Sequence, residues 1–582
     1  MNVTVQMIGY CIILILLAVP LGTYIAKVMN GEPVVLTRLL RPAERGIYRL
    51  LRIDEREEMG WKTYSVCTAV FSVLSLFVLW AILCLQRFLP LNPQGMGGMS
   101  WHLGFNTAAS FATNTNWQAY SGESALSYFS QMIGLNFQNF VSAAVGIAVL
   151  FALIRGFARA KKKGLGNFYT DMTRIILYVL IPLSILVSLA IVSQGVPQTL
   201  RPYDEVELLE PMEITGENGE AVTVTRQVVP LGPAGSQIAI KQLGTNGGGF
   251  FGNNSAHPFE NPTPFSNLLE MISLLLIPAA LCFTFGRNVG DKRQGIAIFL
   301  AMFILLAVAL AIVGTAEQRG TPQLAQNGEV YLGTGGQAGG NMEGKETRFG
   351  VATSATWAVF TTAASNGSVN SMHDSYTPLG GMIPMLLIQL GEVVFGGTGC
   401  GLYGMIGFAI MTVFIAGVMV GRTPEYLCKK IEPFEMKMAV LVCLATPVAI
   451  LVGSGVAALL PATHDSLNNP GAHGLSEVLY AFSSAGGNNG SAFAGFNANT
   501  PFFNVSLGLI MLFARFVPMF ATLAIAGNLV GKKQVAVSSG TLPTSNAMFI
   551  FLLIFVVLLV GALSFFPALS LGPVAEYFEM IA

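Results

Sequence analysis

Ten apolar stretches, each long enough to cross a bilayer, restrict this chain to one class of fold. They lie near residues 7–29, 63–87, 130–154, 172–194, 267–286, 295–316, 380–420, 438–460, 502–530 and 547–569. A hydrocarbon core about 30 Å thick takes roughly 20 apolar residues per helix. In lipid the backbone must satisfy its own hydrogen bonds, so a chain patterned this way is an all-α polytopic bundle. Composition agrees, with 11% charged residues against about 25% in soluble domains. The first stretch, Met7 to Met29, follows no basic segment and exceeds a signal-peptide core, so it reads as a retained helix.

The connections supply an orientation. Stretches 27–62, 155–174, 287–293, 422–437 and 532–533 hold 23 of the 31 Lys and Arg, all on one face of an alternating ten-helix topology. The positive-inside rule makes that face cytoplasmic. Both termini and the long connections 88–129, 195–266, 317–379 and 461–501 then lie outside. A net charge of zero offers no basic footprint for nucleic acid. The seven cysteines form no C-x-x-C pair and read as small packing residues. The five histidines, His102, His257, His373, His464 and His473, lack metal-ligand spacing and read as polar loop residues.

Each long connection contains a short helix-like piece followed by an Asn/Gly/Ser/Thr cluster. The clusters are S-F-A-T-N-T-N-W (110–117), Q-L-G-T-N-G-G-G (242–249), T-A-A-S-N-G-S-V (362–369) and A-G-G-N-N-G-S-A (485–492). Aligning Asn114, Asn246, Asn366 and Asn489 sets Thr115, Gly247, Gly367 and Gly490 in one column. The preceding pieces are too short to span and suit re-entrant half-helices. The pattern is helix, re-entrant loop, helix, written four times around a central pore, with an extra helix at each end. Its units divide at 1–62 (extra helix and basic loop), 63–171, 172–294, 295–437, 438–533 and 534–582 (final extra helix). Irregular backbone at membrane depth is tolerated only inside protein or along a water-filled cavity. Four converging loops can present rings of carbonyls that replace the hydration shell of a monovalent cation. Glycine admits positive φ, which lets neighbouring carbonyls face one axis. A single such cluster would read as a solvated turn; four in register argue for a filter.

Other motifs carry less. Gly399 to Gly404 matches G-x-G-x-x-G without the strand–helix context of a dinucleotide site. No Walker A or Asp-Lys-Thr-Gly sequence is present, so the chain is not expected to handle ATP itself or to be an enzyme alone. Stretch 380–420 is about twice a normal span, and Gly391, Gly396, Gly397, Gly399, Gly401 and Gly404 crowd its middle. It is either a helix broken near 391–404, able to gate the path, or a continuous glycine-faced packing helix. Arg515, inside the ninth stretch, faces a cavity or a partner by default. It is either an electrostatic barrier below the filter or half of an interhelical salt bridge, with Glu392 as the counter-ion. Gln118, just after the first cluster, either buttresses the loops or is a surface amide.

Several segments together resemble the KdpA family. They are T-N-T-N-W-Q, L-G-T-N-G-G-G-F-F with H-P-F-E-N-P, N-M-E-G-K-E-x-R-F-G (341–350), G-R-T-P-E-Y-L (421–427), N-N-G-S-A-F-A-G (488–495) and S-S-G-T-L-P-T (538–544). The resemblance implies the potassium-binding and translocating subunit of the bacterial Kdp P-type ATPase, in the inner membrane, with a fold like the Trk/Ktr/HKT potassium transporters. It implies K⁺ as the transported ion, no organic cofactor, and partners like KdpB (the ATPase), KdpC and the small KdpF. Carried over, the filter is Asn114, Thr115 and Asn116; Thr245, Asn246 and Gly247; Ser365, Asn366 and Gly367; and Asn488, Asn489 and Gly490. Gln118, Glu392, Gly399, Gly401 and Arg515 are pore or gate candidates. Other members carry Cys where this chain has Asn366. A stand-alone Trk-like channel or symporter is the alternative, and a carrier for organic solutes fits fourfold repetition poorly.

Overall fold

A computed structural model describes residues 3–215, 220–322, 339–421, 423–536 and 541–582. The motif S-S-G-T-L-P-T lies partly outside them. Ten helices among the described residues are long and apolar enough to cross a membrane. They are Thr4–Met29, Trp61–Phe88, Ser130–Ala158, Phe168–Val192, Pro264–Asn288, Lys292–Arg319, Cys400–Met419, Pro433–Ala458, Pro501–Gly531 and Ala547–Ile581. Each overlaps one expected stretch. Their starts follow local chemistry: Thr263 caps the fifth span through a capping box with Ser266, Thr500 caps the ninth, and Asn546 caps the tenth. These side chains accept from backbone N–H groups that the first helical turn leaves unpaired.

The long stretch 380–420 resolves into two helices. Pro378–Gln389 ends, residues 390–399 run as irregular backbone, and Cys400–Val420 begins again. The continuous glycine-faced helix is therefore excluded. Phe395, Gly391, Gly396 and Gly399 all have positive φ in the break.

Four short helices precede the four clusters: Trp101–Ala112, Ala234–Leu243, Gly350–Ala363 and Gly471–Gly486. At 1.5 Å per residue they extend about 15 to 24 Å, too short to cross. Most of their residues are buried, polar ones such as Asn106, Lys241, Gln242 and Glu477 included, so those groups must find partners inside the protein. Spans three and nine pack along each other and against the first half-helix.

An amphipathic helix and a hairpin are among the described elements that go beyond the expected helices. The helix, Thr37–Leu51, sits in the first basic connection, where Glu44 accepts from Tyr48, Tyr178 and Arg174. Between spans four and five, on the loop-bearing face, an antiparallel hairpin joins β1 (Asp204–Thr215) to β2 (Ala221–Val229). On the basic face, Lys429 donates to the carbonyls of Arg159, Leu529 and Lys532, tying three connections together.

Candidate functional site: a ring of four loops

Each half-helix ends in the same backbone device. The N–H groups of Thr115 and Asn116 both bond to the carbonyl of Ser110, and those of Asn246 and Gly247 to that of Lys241. Asn366 bonds to the Thr361 carbonyl and Asn489 to that of Ser484. Positive φ then recurs two residues apart: Asn114 and Asn116, Thr245 and Gly247, Ser365 and Gly367, Asn488 and Gly490. Four non-glycine residues in the first of these positions accept a left-handed backbone, which the surrounding structure must enforce.

This periodicity overturns the column that set Asn114 beside Asn246 and agrees with the carried-over triplets. Thr115 occupies the place of Asn246, Asn366 and Asn489, and Asn116 that of Gly247, Gly367 and Gly490. Neighbour contacts agree. A Cβ on Gly247 would overlap the carbonyl of Asn366, one on Gly367 that of Asn489, and one on Gly490 that of Thr115. A Cβ on Gly248 would lie 3.0 Å from that of Asn116, which marks the remaining seam. The loops therefore close a ring in chain order, one to two to three to four to one. Asn116 fits where the others need glycine because Asn tolerates positive φ, and its amide donates to Asn139 at 2.7 Å.

Side-chain amides lace the ring. Asn246 donates to Asn114 at 2.5 Å, and Asn114 donates to the carbonyls of Gly244 and Thr245. Asn366 donates to the carbonyl of Lys241 at 3.0 Å, and Asn489 to that of Thr361 at 3.0 Å. Asn488 reaches back to the Thr115 hydroxyl at 2.9 Å. The Asn366 side chain thus sits in the seam between loops two and three, where its Oδ1 also accepts from the Ser368 N–H. Asn114, Asn366 and Asn489 satisfy both ends of their buried amides, which holds one geometry at low cost, whereas the Oδ1 atoms of Asn116 and Asn246 are buried without a hydrogen-bond partner.

Side chains behind the ring brace loop two. Gln118 accepts from the Gly249 N–H at 2.8 Å and donates to its carbonyl at 3.2 Å, which makes it a clamp between loops one and two and not a surface amide. Lys241, wholly buried, pairs with Glu260 and donates to Asn254 at 2.8 Å; Asn254 in turn donates to the Gly247 carbonyl at 2.7 Å. Glu260 also accepts from the Phe251 N–H, and His257 stacks on the Phe251 ring at 4.2 Å. These contacts absorb H-P-F-E-N-P. Sequence reading passed over Lys241, though a lysine inside an apolar half-helix is itself a signal of a buried partner. Similarly, Lys345 of the 341–350 motif pairs with buried Glu317 at 2.7 Å and lies 4.0 Å over the Tyr376 ring.

The helix break lies directly beneath the ring. The Thr398 N–H bonds to the Thr245 hydroxyl at 2.9 Å, and the Thr398 hydroxyl to the Gly244 carbonyl at 3.3 Å. Gly399 abuts the carbonyl of Gly146, and Gly401 that of Phe395, so a side chain at either would displace the break. Glu392 and Arg515 meet at 3.0 Å, giving the salt bridge considered above; one guanidinium nitrogen, Nη2, stays buried without a hydrogen-bond partner. Beside them a cavity of about 30 Å³, lined by Glu392, Asn488, Ala514 and Pro518 among others, has room for roughly one water-sized particle.

Away from the ring, His473 departs from its expected role as an unremarkable loop residue. Its Nε2 bonds to Asp374 at 2.9 Å and its Nδ1 to Glu576 at 2.8 Å, clasping the fourth half-helix to the third connection and the C-terminal helix. With Glu477 and Asp374 it forms a His/carboxylate group of metal-ligand spacing, which the sequence spacing had not revealed. Burial pulls the imidazole pKa down, but the two carboxylates outweigh it and carry it to about 10. A pKa above the unfolded value of about 6.5 stabilises fully below that value and is lost as pH rises through about 10. The thermal midpoint of the native chain should therefore fall more between pH 7 and pH 10.5 than that of His473→Gln; parallel curves would contradict this.

The family model for KdpA, described as potassium-transporting ATPase A subunit, matches residues 8–578. A potassium-transporting ATPase potassium-binding subunit from Clostridium botulinum (strain Alaska E43 / Type E3) is 72% identical over 581 residues, covering 100% of both chains. The subunit of that name from Desulfovibrio desulfuricans is 63% identical, covering 100% of this chain and 99% of its own. Among solved structures, the potassium transporter TrkH from Vibrio parahaemolyticus aligns at 14% identity and a TM-score of 0.48, covering 78% of this chain and 84% of that one. Matched along nearly its whole length, and sharing well over half its residues with these relatives, the chain belongs to the KdpA family of potassium-transporting ATPase A subunits.

Proposed function

We propose that this chain captures extracellular K⁺ in the four-loop ring and passes it to a partner P-type ATPase subunit. The closed ring of loops with alternating positive φ carries this reading. Backbone of that kind can line a path with carbonyl oxygens in place of water. The twelve residues Asn114–Asn116, Thr245–Gly247, Ser365–Gly367 and Asn488–Gly490 form the filter. The break at 390–399, with Glu392, Gly399, Gly401 and Arg515, forms the constriction beneath it. KdpB-, KdpC- and KdpF-like subunits complete the assembly in the bacterial inner membrane, and the loop-bearing face and both termini are extracytoplasmic. The chain has no phosphorylation motif of its own, so the energy for uptake comes from the ATPase partner.

The deciding measurement is ATP-dependent, vanadate-sensitive Rb⁺ uptake in vesicles containing the chain with and without its co-purifying ATPase. Uptake that continues unchanged without the ATPase would favour a stand-alone channel or symporter instead. A narrower test addresses the clamp between loops one and two. Gln118→Ala strands a buried N–H and carbonyl on Gly249, a loss of about 1–2 kcal/mol. The half-saturating Rb⁺ concentration should rise roughly five- to thirtyfold.

A further inference from the structure

The amphipathic helix Thr37–Leu51 lies on the basic face, and little of it is covered by protein. Glu44 and Tyr48 are its buried residues, and Glu44 anchors it to Arg174 and Tyr178 of the fourth span. Its arginines follow one stripe, since Arg38, Arg41, Arg45 and Arg49 recur at spacings of three and four. Leu39 and Leu50 share another face, and they are 73% and 82% exposed. A helix with open leucines on one face and a row of cations on another suits the boundary between acyl chains and headgroups.

A cavity gives that boundary a specific place. Between the end of the first span and the start of this helix lies a space of about 700 Å³, lined by Pro20, Lys27, Val34, Val35, Arg38 and Arg41 among others. Pro20 and Lys27 stand two turns apart on the first span, so the cavity runs about 10 Å along it, from headgroup level toward the acyl chains. Residues 27–52 hold six basic and two acidic side chains, a net of +4. Glu44 and the neighbouring Glu55 are already paired with Arg174, and Lys27, Arg38 and Arg41 have no ion pair among the described residues. Three uncompensated cations beside an apolar wall narrow the occupant. A water-soluble anion would leave Pro20, Val34 and Val35 without contact, and a zwitterionic lipid would bring its own ammonium against the cations. An anionic phospholipid satisfies both sides.

We infer that this cavity binds the headgroup of an anionic phospholipid from the cytoplasmic leaflet, with Lys27, Arg38 and Arg41 around its phosphate and Leu39 and Leu50 in the acyl layer beside it. The choice of leaflet rests on the orientation proposed above. The test places a photocrosslinking amino acid at Val35, which is 94% exposed at the cavity mouth, in the full transport complex. The complex is reconstituted in phosphatidylcholine vesicles carrying equal mole fractions of phosphatidylglycerol and phosphatidylethanolamine. Val70, 58% exposed on the second span, serves as the control for bulk lipid. Phosphatidylglycerol adducts should exceed phosphatidylethanolamine adducts roughly tenfold at Val35, with no preference at Val70. Arg38→Gln with Arg41→Gln should bring the two yields at Val35 to within about twofold. Arg45→Gln with Arg49→Gln removes the same charge outside the cavity and should leave most of the preference. Size-exclusion chromatography of each complex checks that the variants, all at exposed positions, are folded. Equal yields of both lipids at Val35, equal losses in the two double variants, adducts to protein in place of lipid, or abolition of the adduct by excess soluble glycerol phosphate would each overturn the site. Both leaflets of these vesicles hold the same lipids and no transport is read, so the outcome is independent of the filter and of the orientation.

Discussion

Gly247→Asp should raise the half-saturating Rb⁺ concentration at least tenfold and flatten discrimination against Na⁺. Three effects add. The native φ of +89° is one that residues with a Cβ rarely adopt, costing about 1–2 kcal/mol. The new Cβ would overlap the Asn366 carbonyl across the seam between loops two and three, so one or both loops must move. A carboxylate beside the carbonyl ring also binds cations by charge, without the fixed spacing that distinguishes them. Gly247→Ala separates these effects, because it keeps the strain and the overlap but adds no charge. Affinity should fall in both variants, and selectivity should fall further in the aspartate. An unchanged K⁺ titration in Gly247→Asp would remove loop two from the filter.

Arg515→Met should destabilise the folded chain by about 3 kcal/mol, the lower end for a buried pair, because it leaves the mostly buried Glu392 without its counter-ion. Pairing it with Glu392→Gln should restore most of that loss, since the two side chains meet at 3.0 Å and are coupled. Thermal unfolding of the two single variants and the double in detergent measures the coupling; simple additivity would mean that the contact carries no energy. The single and double variants then separate the second role, since Arg515→Met alone removes a positive charge and the double removes an equal and opposite pair. If Arg515 also sets a positive barrier under the ring, Rb⁺ should pass without ATP more readily in Arg515→Met than in the double.

Much of this architecture was legible in the chain. Apolar length alone locates all ten spans, because a bilayer sets one required length whatever the neighbours are. The half-helices were legible for the same reason, being too short, whereas the excess length of the seventh stretch left a break and a continuous packed helix both open. The register of the first loop was not. Asn116 tolerates the positive φ that glycine supplies in the other three loops, and single-residue columns cannot tell Asn from Gly in that role. The Lys241–Glu260 and Lys345–Glu317 pairs were hidden because their partners are fixed by tertiary packing and not by helical spacing. The hairpin was hidden differently, since its acidic residues mask an alternation that becomes clear only once the strand register is known.

The off-pattern first quarter of the ring has an evolutionary consequence. A filter assembled from four identical chains repeats every substitution four times, so a change that helps one quadrant is imposed on all. Here each quadrant is encoded separately in one polypeptide, and the first carries an asparagine tied to Asn139 where the other three carry glycine. In the filter proposed above, single-chain encoding lets the ring depart from symmetry one residue at a time, so that the four sides of an ion's coordination shell would be tuned independently.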